Sequence, residues 1–145
     1  MKRSLTAILF VAASASAFAQ MSPAGLWKTI DDETKKEKSL VRIKEVNGVF
    51  SGTVDKFLDP TTKLDDVCEK CTDDRKDKLV LGMTIIRNIK ASADDKGIWD
   101  GGDILDPNNG KVYKVRIKTA DGGKKLEVRG YIGFLYRNQQ WVRVE

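Results

Sequence analysis

The chain contains no histidine. Histidine is the commonest general base, a frequent zinc ligand and the usual haem ligand. General-base catalysis, zinc binding and haem binding would therefore each lack their usual side chain in this protein. Serine–histidine and cysteine–histidine nucleophile systems are excluded outright. Any enzymatic activity would have to rest on carboxylates, lysine or tyrosine. We therefore favour a non-enzymatic role and expect no cofactor.

The sequence also lacks an apolar run long enough to cross a membrane, which takes roughly 20 residues. Its apolar stretch at residues 5–13 follows Lys2 and Arg3 and precedes the Ala-Phe-Ala sequence of residues 17–19. This order is typical of a secretory signal peptide, so residues 1–19 are predicted to be removed. No cysteine for lipid attachment stands at the cleavage point. We predict a periplasmic or secreted protein, freely soluble and without a membrane anchor.

The mature chain, residues 20–145, is predicted to form a single domain, because a chain of this length has room for one core. Loss of Lys2 and Arg3 lowers its net charge from +5 to +3. So small an excess does not indicate a nucleic-acid-binding surface, and nucleic acid is a poor fit for an exported protein. We expect a monomer.

Short β-branched and aromatic segments recur along the domain with turn signals between them, and no long segment has helical periodicity. The strongest turn signal is Asn47-Gly48, whose backbone tolerates the positive φ angles of a two-residue hairpin. Further on, Tyr113, Val115 and Ile117 alternate with charged residues, which predicts a strand with one buried face. The predicted strands cover residues 26–30, 40–46, 49–55, 80–90, 97–105, 111–119, 125–132 and 140–145.

About eight strands in chain order predict an all-β domain, a small antiparallel up-and-down β-barrel, because closure removes exposed strand edges. A two-sheet β-sandwich is the alternative. An eight-stranded barrel either fills its lumen with side chains or holds one small ligand, and the sequence leaves both open.

Cys68 and Cys71 lie in a polar stretch, residues 56–78, which is predicted to be a long loop. The pair allows three interpretations: a structural disulfide, a redox dithiol or half of a metal site. Acidic neighbours oppose the stabilised thiolate of a redox site, and a zinc site without histidine would need two carboxylates. In an oxidising compartment two cysteines this close should pair. We predict a structural disulfide and no metal.

Oxygen-bearing side chains are concentrated at residues 100–103 and 106–110. They suggest calcium, but the spacing departs from the EF-hand pattern, and Asp-Pro-Asn-Asn-Gly favours a tight turn. Asp100 and Asp103 are the pair that an acid–base enzyme would use. We place both on a loop, where such acids are usually exposed, so they give an enzyme little support.

Gly25-Leu26-Trp27, at the start of the first strand, resembles the Gly-x-Trp signature of lipocalin-like barrels of the calycin type. The resemblance implies that Trp27 closes one end of the barrel, with an arginine of the last strand packed on it. Arg143 is the residue in position to make that cation–π contact. Trp27 is equally compatible with an ordinary core position.

A longer series of motifs spans nearly the whole mature chain: Gly25-Leu26-Trp27, Asn47-Gly48, Cys68 and Cys71, residues 101–107 with 110–113, residues 128–133 and residues 141–143. Together they resemble the bacterial family called domain of unknown function 2147. The resemblance implies a small exported protein, and it supplies no activity and no catalytic residue.

Arg129 and Tyr131 share a face of a strand that Gly130 interrupts. If that face lines the lumen, Arg129 would grip an anionic head group, with Tyr131 and Trp99 as apolar walls. If it faces outward, both are surface residues.

We predict a binding protein for a small apolar, amphipathic or anionic ligand. The candidate contacts are Trp27, Trp99, Arg129, Tyr131 and Arg143. The alternative is a protein or glycan interaction module with a solid core, which would recognise its partner through residues 68–78 and 101–110.

Overall fold

The structure, a computed structural model, describes residues 21–145. The predicted signal peptide and its cleavage point lie outside the described residues. Eight strands follow one another along the chain: β1 Gly25–Ile30, β2 Glu37–Val46, β3 Val49–Phe57, β4 Thr84–Ala91, β5 Ile98–Asp106, β6 Lys111–Ala120, β7 Lys125–Ile132 and β8 Leu135–Arg143. No helix within this part of the chain is long and apolar enough to span a membrane.

Each strand pairs antiparallel with the next, and β8 pairs back to β1, so the sheet is a closed barrel. The predicted up-and-down β-barrel is confirmed, and the alternative β-sandwich is wrong. Closure pairs most strand edges within the barrel, which limits pairing with another chain. The hairpin predicted at Asn47-Gly48 is also present, with φ angles of 51° and 80°.

The β1–β8 junction is much shorter than its neighbours. β8 pairs with β1 only at Trp27–Arg143 and Lys28–Val142, whereas β7 and β8 pair from Lys125–Val142 to Ile132–Leu135. Beyond Lys28, the two strands are therefore not joined by their backbones.

Alternation of side chains along the strands puts one face into the lumen. On β6, Val115 and Ile117 are buried while Lys114 and Lys118 are exposed. The buried side chains of all strands form one cluster that contains Trp27, Val41, Ile43, Phe50, Ile86, Ile89, Leu126 and Trp141.

The largest differences from the predicted strand boundaries are at the starts of β4 and β8. β4 begins at Thr84 instead of residue 80, because the backbone of Val80 bonds to Asp66 within the preceding loop. β8 begins at Leu135 instead of residue 140. Residues 135–139 carry no apolar alternation, so the sequence pattern did not predict a strand there, but their backbones pair with β7 throughout. Backbone pairing overrode weak local patterning there.

The long loop between β3 and β4 spans residues 58–83 and holds the predicted disulfide between Cys68 and Cys71, both of which are buried. The disulfide lies within the loop, whereas Arg75 attaches the loop to β4 by donating to the carbonyl oxygen of Thr84 at 3.0 Å, and it forms an ion pair with Asp73 at 2.6 Å. This guanidinium lowers the pKa of Asp73 to about 2. The loop is therefore fixed to the barrel.

One end of the barrel is closed by Trp27, which is completely buried. The guanidinium of Arg143 lies 4.2 Å from the centre of its ring, so the cation–π contact expected from the sequence is present. Arg143 also donates to the carbonyl oxygens of Ser22, Ala24 and Gly123 at 2.6 to 2.9 Å. Burial lowers the pKa of Arg143. One side chain thus ties the start of the chain, β1 and the β6–β7 turn together.

Replacing Arg143 with methionine should lower the free energy of unfolding by about 3 kcal/mol, because three carbonyl groups lose a charged donor at once. Urea unfolding followed by circular dichroism measures the change. Arg129→Met on the exposed wall is the matched control and should change stability by less than about 0.5 kcal/mol. Equal losses in the two variants would show that Arg143 is not the fastening residue.

Gly110, at the β5–β6 turn, has a φ of 72°, and a β-carbon there would overlap the Lys70 carbonyl of the long loop. Gly122 has a similar φ of 63° with open space beside it. Gly122→Ala should therefore cost only the left-handed strain of about 1 kcal/mol. Gly110→Ala should cost roughly 2 kcal/mol more by overlap and should expose residues 58–83 to limited proteolysis. Equal stability and equal cleavage would contradict this role of Gly110.

Candidate functional site

The two ends of the barrel differ in how they are covered. The end closed by Trp27 carries both ends of the described chain and the β2–β3, β4–β5 and β6–β7 turns. The other end, which we call the mouth, carries residues 31–36, the long loop 58–83, the β5–β6 turn and the β7–β8 turn.

A cavity of about 170 Å³ opens at the mouth and is lined by side chains from every strand except β3. Ile85 on β4 and Ile104 on β5 form one wall, and Val128 and Trp141 continue the apolar surface. Strands β8 and β1 lie opposite β4 and β5 in the ring of eight. They supply polar side chains to the cavity: Thr29, Arg137 and Gln139. The two sides therefore differ in polarity, with exceptions on each, because Asp106 of β5, Ile30 of β1 and Trp141 of β8 also line the cavity.

A second cavity, of about 350 Å³, lies between the long loop and the barrel. Val67 and Val80 of the loop line it together with Val54 and Phe57 of β3. The two cavities share Lys38, Ser39, Ile85, Pro107 and Asn108. The long loop thus adds a second cavity that adjoins the one at the mouth.

The polar wall is organised around Asp32, which lies between β1 and β2. Arg137 donates to both of its carboxylate oxygens, at 2.5 and 3.2 Å, which lowers the pKa of Asp32 and raises that of Arg137. Gln139 donates to Asp32 at 3.4 Å and accepts from the indole nitrogen of Trp141 at 2.9 Å. This chain of hydrogen bonds joins β8 to the β1–β2 loop where their backbones are not paired.

Lys38, the other cation that lines the first cavity, is also paired with a carboxylate. Lys38 contacts the carboxylate of Asp59 at 2.6 Å, and this contact lowers the pKa of Asp59. Both cations that line the first cavity, Arg137 and Lys38, therefore already have carboxylate partners, whereas Lys70, which lines the second cavity, makes no salt bridge within residues 21–145. An anionic ligand in the first cavity would have to compete with these carboxylates.

Three of the candidate contacts named from the sequence lie away from the mouth. Trp27 and Arg143 form the closed end, and the indole nitrogen of Trp27 donates to the Pro23 carbonyl at 2.8 Å. Trp99 packs edge-on against Phe50, with 6.2 Å between the ring centres, and does not line the mouth cavity. The aromatic rings of Trp27 and Trp99 therefore pack in or against the core.

Arg129 and Tyr131 face outward, which is the second of the two placements that the sequence left open. Their neighbours Val128 and Gly130 line the cavity, and alternation along β7 turns the other two residues to the outside. Arg129 donates to the side chain of Asn138 at 2.6 Å and lies 4.5 Å from the ring centre of Tyr136.

Sequence reasoning missed the polar wall of the mouth. Arg137 and Gln139 precede the predicted last strand, so neither was assigned a face. A usable signal was present, because Arg137, Gln139, Trp141 and Arg143 follow at intervals of two and must share one face of an extended strand.

The acidic segments serve local structure. Asp100 and Asp103 lie within β5, not on a loop as expected, where they pair across the sheet with Lys90 and Arg87. In the β5–β6 turn, Asp106 accepts from the backbone of Asn108 at 2.9 Å and Asn109 accepts from that of Lys111 at 2.8 Å. Residues 101–106 are therefore strand and not a recognition loop. Within residues 21–145, no three Asp, Glu or Cys residues cluster in a way that could hold a metal ion.

Comparison with known proteins agrees with this architecture. A solved structure, the protein HP1028 from the human pathogen Helicobacter pylori, described as belonging to the lipocalin family, superposes with a TM-score of 0.71. The two chains are 20% identical over 86% of this chain and 84% of the other. Comparison with curated proteins gives no match.

The model of a bacterial family described as "Uncharacterized protein conserved in bacteria (DUF2147)" matches residues 25–143, from the first residue of β1 to the last of β8. The match spans the entire barrel, including the long loop and its disulfide. The chain therefore belongs to the DUF2147 family, on a lipocalin-like barrel.

Proposed function

We propose that the mouth of the barrel binds one small amphipathic molecule. The observation that carries this proposal is the division of the cavity into an apolar wall on β4 and β5 and a polar wall on β8 and β1. Eight-stranded barrels have a lumen just wide enough for one small ligand, as in lipocalins. Concave sites with mostly apolar linings and a few placed polar groups are the usual form of small-molecule sites.

The size and charge of the mouth narrow the ligand class. The cavity of about 170 Å³ suits a small apolar group, and the adjoining cavity of about 350 Å³ gives room for the rest of the molecule. Arg137 and Lys38 are paired with Asp32 and Asp59. Since displacing these carboxylates is costly, we favour a neutral or zwitterionic polar end over a simple anion.

We also propose that the protein acts in the periplasm or outside the cell. The sequence pattern of residues 1–19 is that of an export signal. The disulfide between Cys68 and Cys71 supports an oxidising compartment.

The uncharged fluorophore N-phenyl-1-naphthylamine is a suitable probe, because its emission rises in apolar surroundings and Trp141 in the cavity can transfer energy to it. Ile104→Phe should weaken probe binding about tenfold by filling the apolar side of the cavity, a loss of about 1.4 kcal/mol. Titration of the mature protein measures the dissociation constant.

Val142→Phe is the matched control, because Val142 is exposed on the outer face of β8 and does not line the mouth. It should bind the probe as the native chain does. Thermal unfolding of both variants establishes that they are folded. If Ile104→Phe and the native chain bind the probe equally, the mouth is not the binding site.

A further inference from the structure

The hairpin that joins β7 to β8 carries large apolar side chains into solvent. Phe134 is 92% exposed, Leu135 67%, Tyr136 56% and Ile132 46%. We call these four residues the apolar apex. Scattered single apolar residues are common on protein surfaces, but a contiguous group of large ones marks an interaction site.

The apex is a fixed feature of the fold and not a loose loop. Ile132 pairs with Leu135 across a tight turn in which Gly133 has a φ of 60°. Below the turn, Tyr131 and Tyr136 pack with their ring centres 6.3 Å apart. The hairpin therefore holds these residues in fixed positions at the same end of the barrel as the mouth, with Tyr131 and Tyr136 on its outer face and Ile132 and Leu135 on the opposite face.

Charge is distributed very unevenly around this hairpin. Residues 111–145 hold nine lysines and arginines and three acids. Two of the acids, Asp121 and Glu145, lie at the closed end, and the third, Glu127, pairs with Lys118 on the far half of β6. The half of the β6–β7–β8 wall next to the apex keeps four of the nine cations, Lys111, Lys114, Arg129 and Arg137, and none of the three acids.

Three cations on that half, Lys111, Lys114 and Arg129, make no salt bridge within residues 21–145, although Lys111 and Lys114 stand opposite Asp106 and Asp103 across the β5–β6 ladder. Arg129 lies over Tyr136 of the apex itself, and Lys114 pairs with Tyr131 across the sheet. Apolar and cationic groups therefore occupy one continuous surface.

We propose that this surface docks onto a bilayer that contains anionic phospholipid. Phe134 and Leu135 enter the boundary of the acyl chains, and the tyrosines lie at the level of the head groups, where their amphipathic rings are favoured. Lys111, Lys114 and Arg129 meet the lipid phosphates.

A second copy of the chain fits this surface less well than a lipid does. A twofold dimer through the apex would bring Arg129 and Lys114 of both copies together, and like charges repel. An anionic membrane satisfies the apolar side chains and the cations at once. Docking in this way also turns the mouth toward the bilayer, although the proposal does not depend on the mouth binding a ligand.

Co-sedimentation with vesicles tests the proposal on the mature chain. Binding is expected to vesicles of phosphatidylethanolamine with phosphatidylglycerol, to be weaker on phosphatidylcholine alone and to fall with added salt. The double variant Phe134→Ser, Leu135→Ser should bind at least about tenfold less tightly. Lys111→Gln, Lys114→Gln, Arg129→Gln should lose the preference for phosphatidylglycerol.

Val46→Ser is the matched control, because Val46 is 67% exposed, as Leu135 is, but lies at the closed end. It should bind vesicles as the native chain does. A second measurement avoids any loss of folding: in Phe134→Trp, vesicles with phosphatidylglycerol should shift the added tryptophan emission to the blue. Ile104→Phe should leave vesicle binding unchanged, which separates this proposal from the ligand site.

Three results would overturn the proposal. The first is no sedimentation of the native chain with anionic vesicles. The second is equal binding by the native chain and the Phe134, Leu135 variant. The third is a dimer in analytical ultracentrifugation that this variant abolishes, since the apex would then be an interface between copies of the chain.

Discussion

The fold depends above all on the contact between the first and the last strand. Eight antiparallel strands close only if β8 returns to β1, and here their backbones meet at Trp27–Arg143 and Lys28–Val142. The stacking of Arg143 on Trp27 and its hydrogen bonds to Ser22, Ala24 and Gly123 reinforce that short junction. These side-chain contacts thus compensate for the small number of backbone pairs between β1 and β8. Because these groups fill the closed end, the space that remains in the lumen lies at the mouth.

The mouth is shaped by a second constraint, the attachment of the long loop 58–83. Its disulfide closes a loop too short to stabilise the chain greatly, roughly 2 kcal/mol by chain entropy. Its more direct effect is on shape, because the buried sulfurs pack beside the β5–β6 turn, where Cys68 contacts the Pro107 carbonyl at 3.7 Å. Arg75 holds the same loop to the start of β4. With the loop fixed, its apolar side chains Val67 and Val80 extend the lining of the cavity.

The barrel class was predictable because turn signals and alternation are local properties of the chain. Asn47-Gly48 and the alternation of Tyr113, Val115 and Ile117 carry their information within a few residues. The disulfide followed from spacing, and the contact of Arg143 with Trp27 was implied by family resemblance. It was harder to predict which face of a strand lines the lumen. In β7, Arg129 and Val128 are neighbours, and the sequence alone does not show which of the two points inward. That choice is made by β6 and β8 on either side.

The polar wall was missed for a related reason. Arg137 and Gln139 lie on the inward face of β8, and their hydrogen-bond partner is Asp32, more than a hundred positions away in the chain. Beyond Lys28, Arg137 and Gln139 join β8 to the β1–β2 loop through side chains and not through a backbone ladder. An ion pair and an amide can separate without the loss of any main-chain hydrogen bond. This part of the β1–β8 junction is therefore held differently from the paired strands on either side of it.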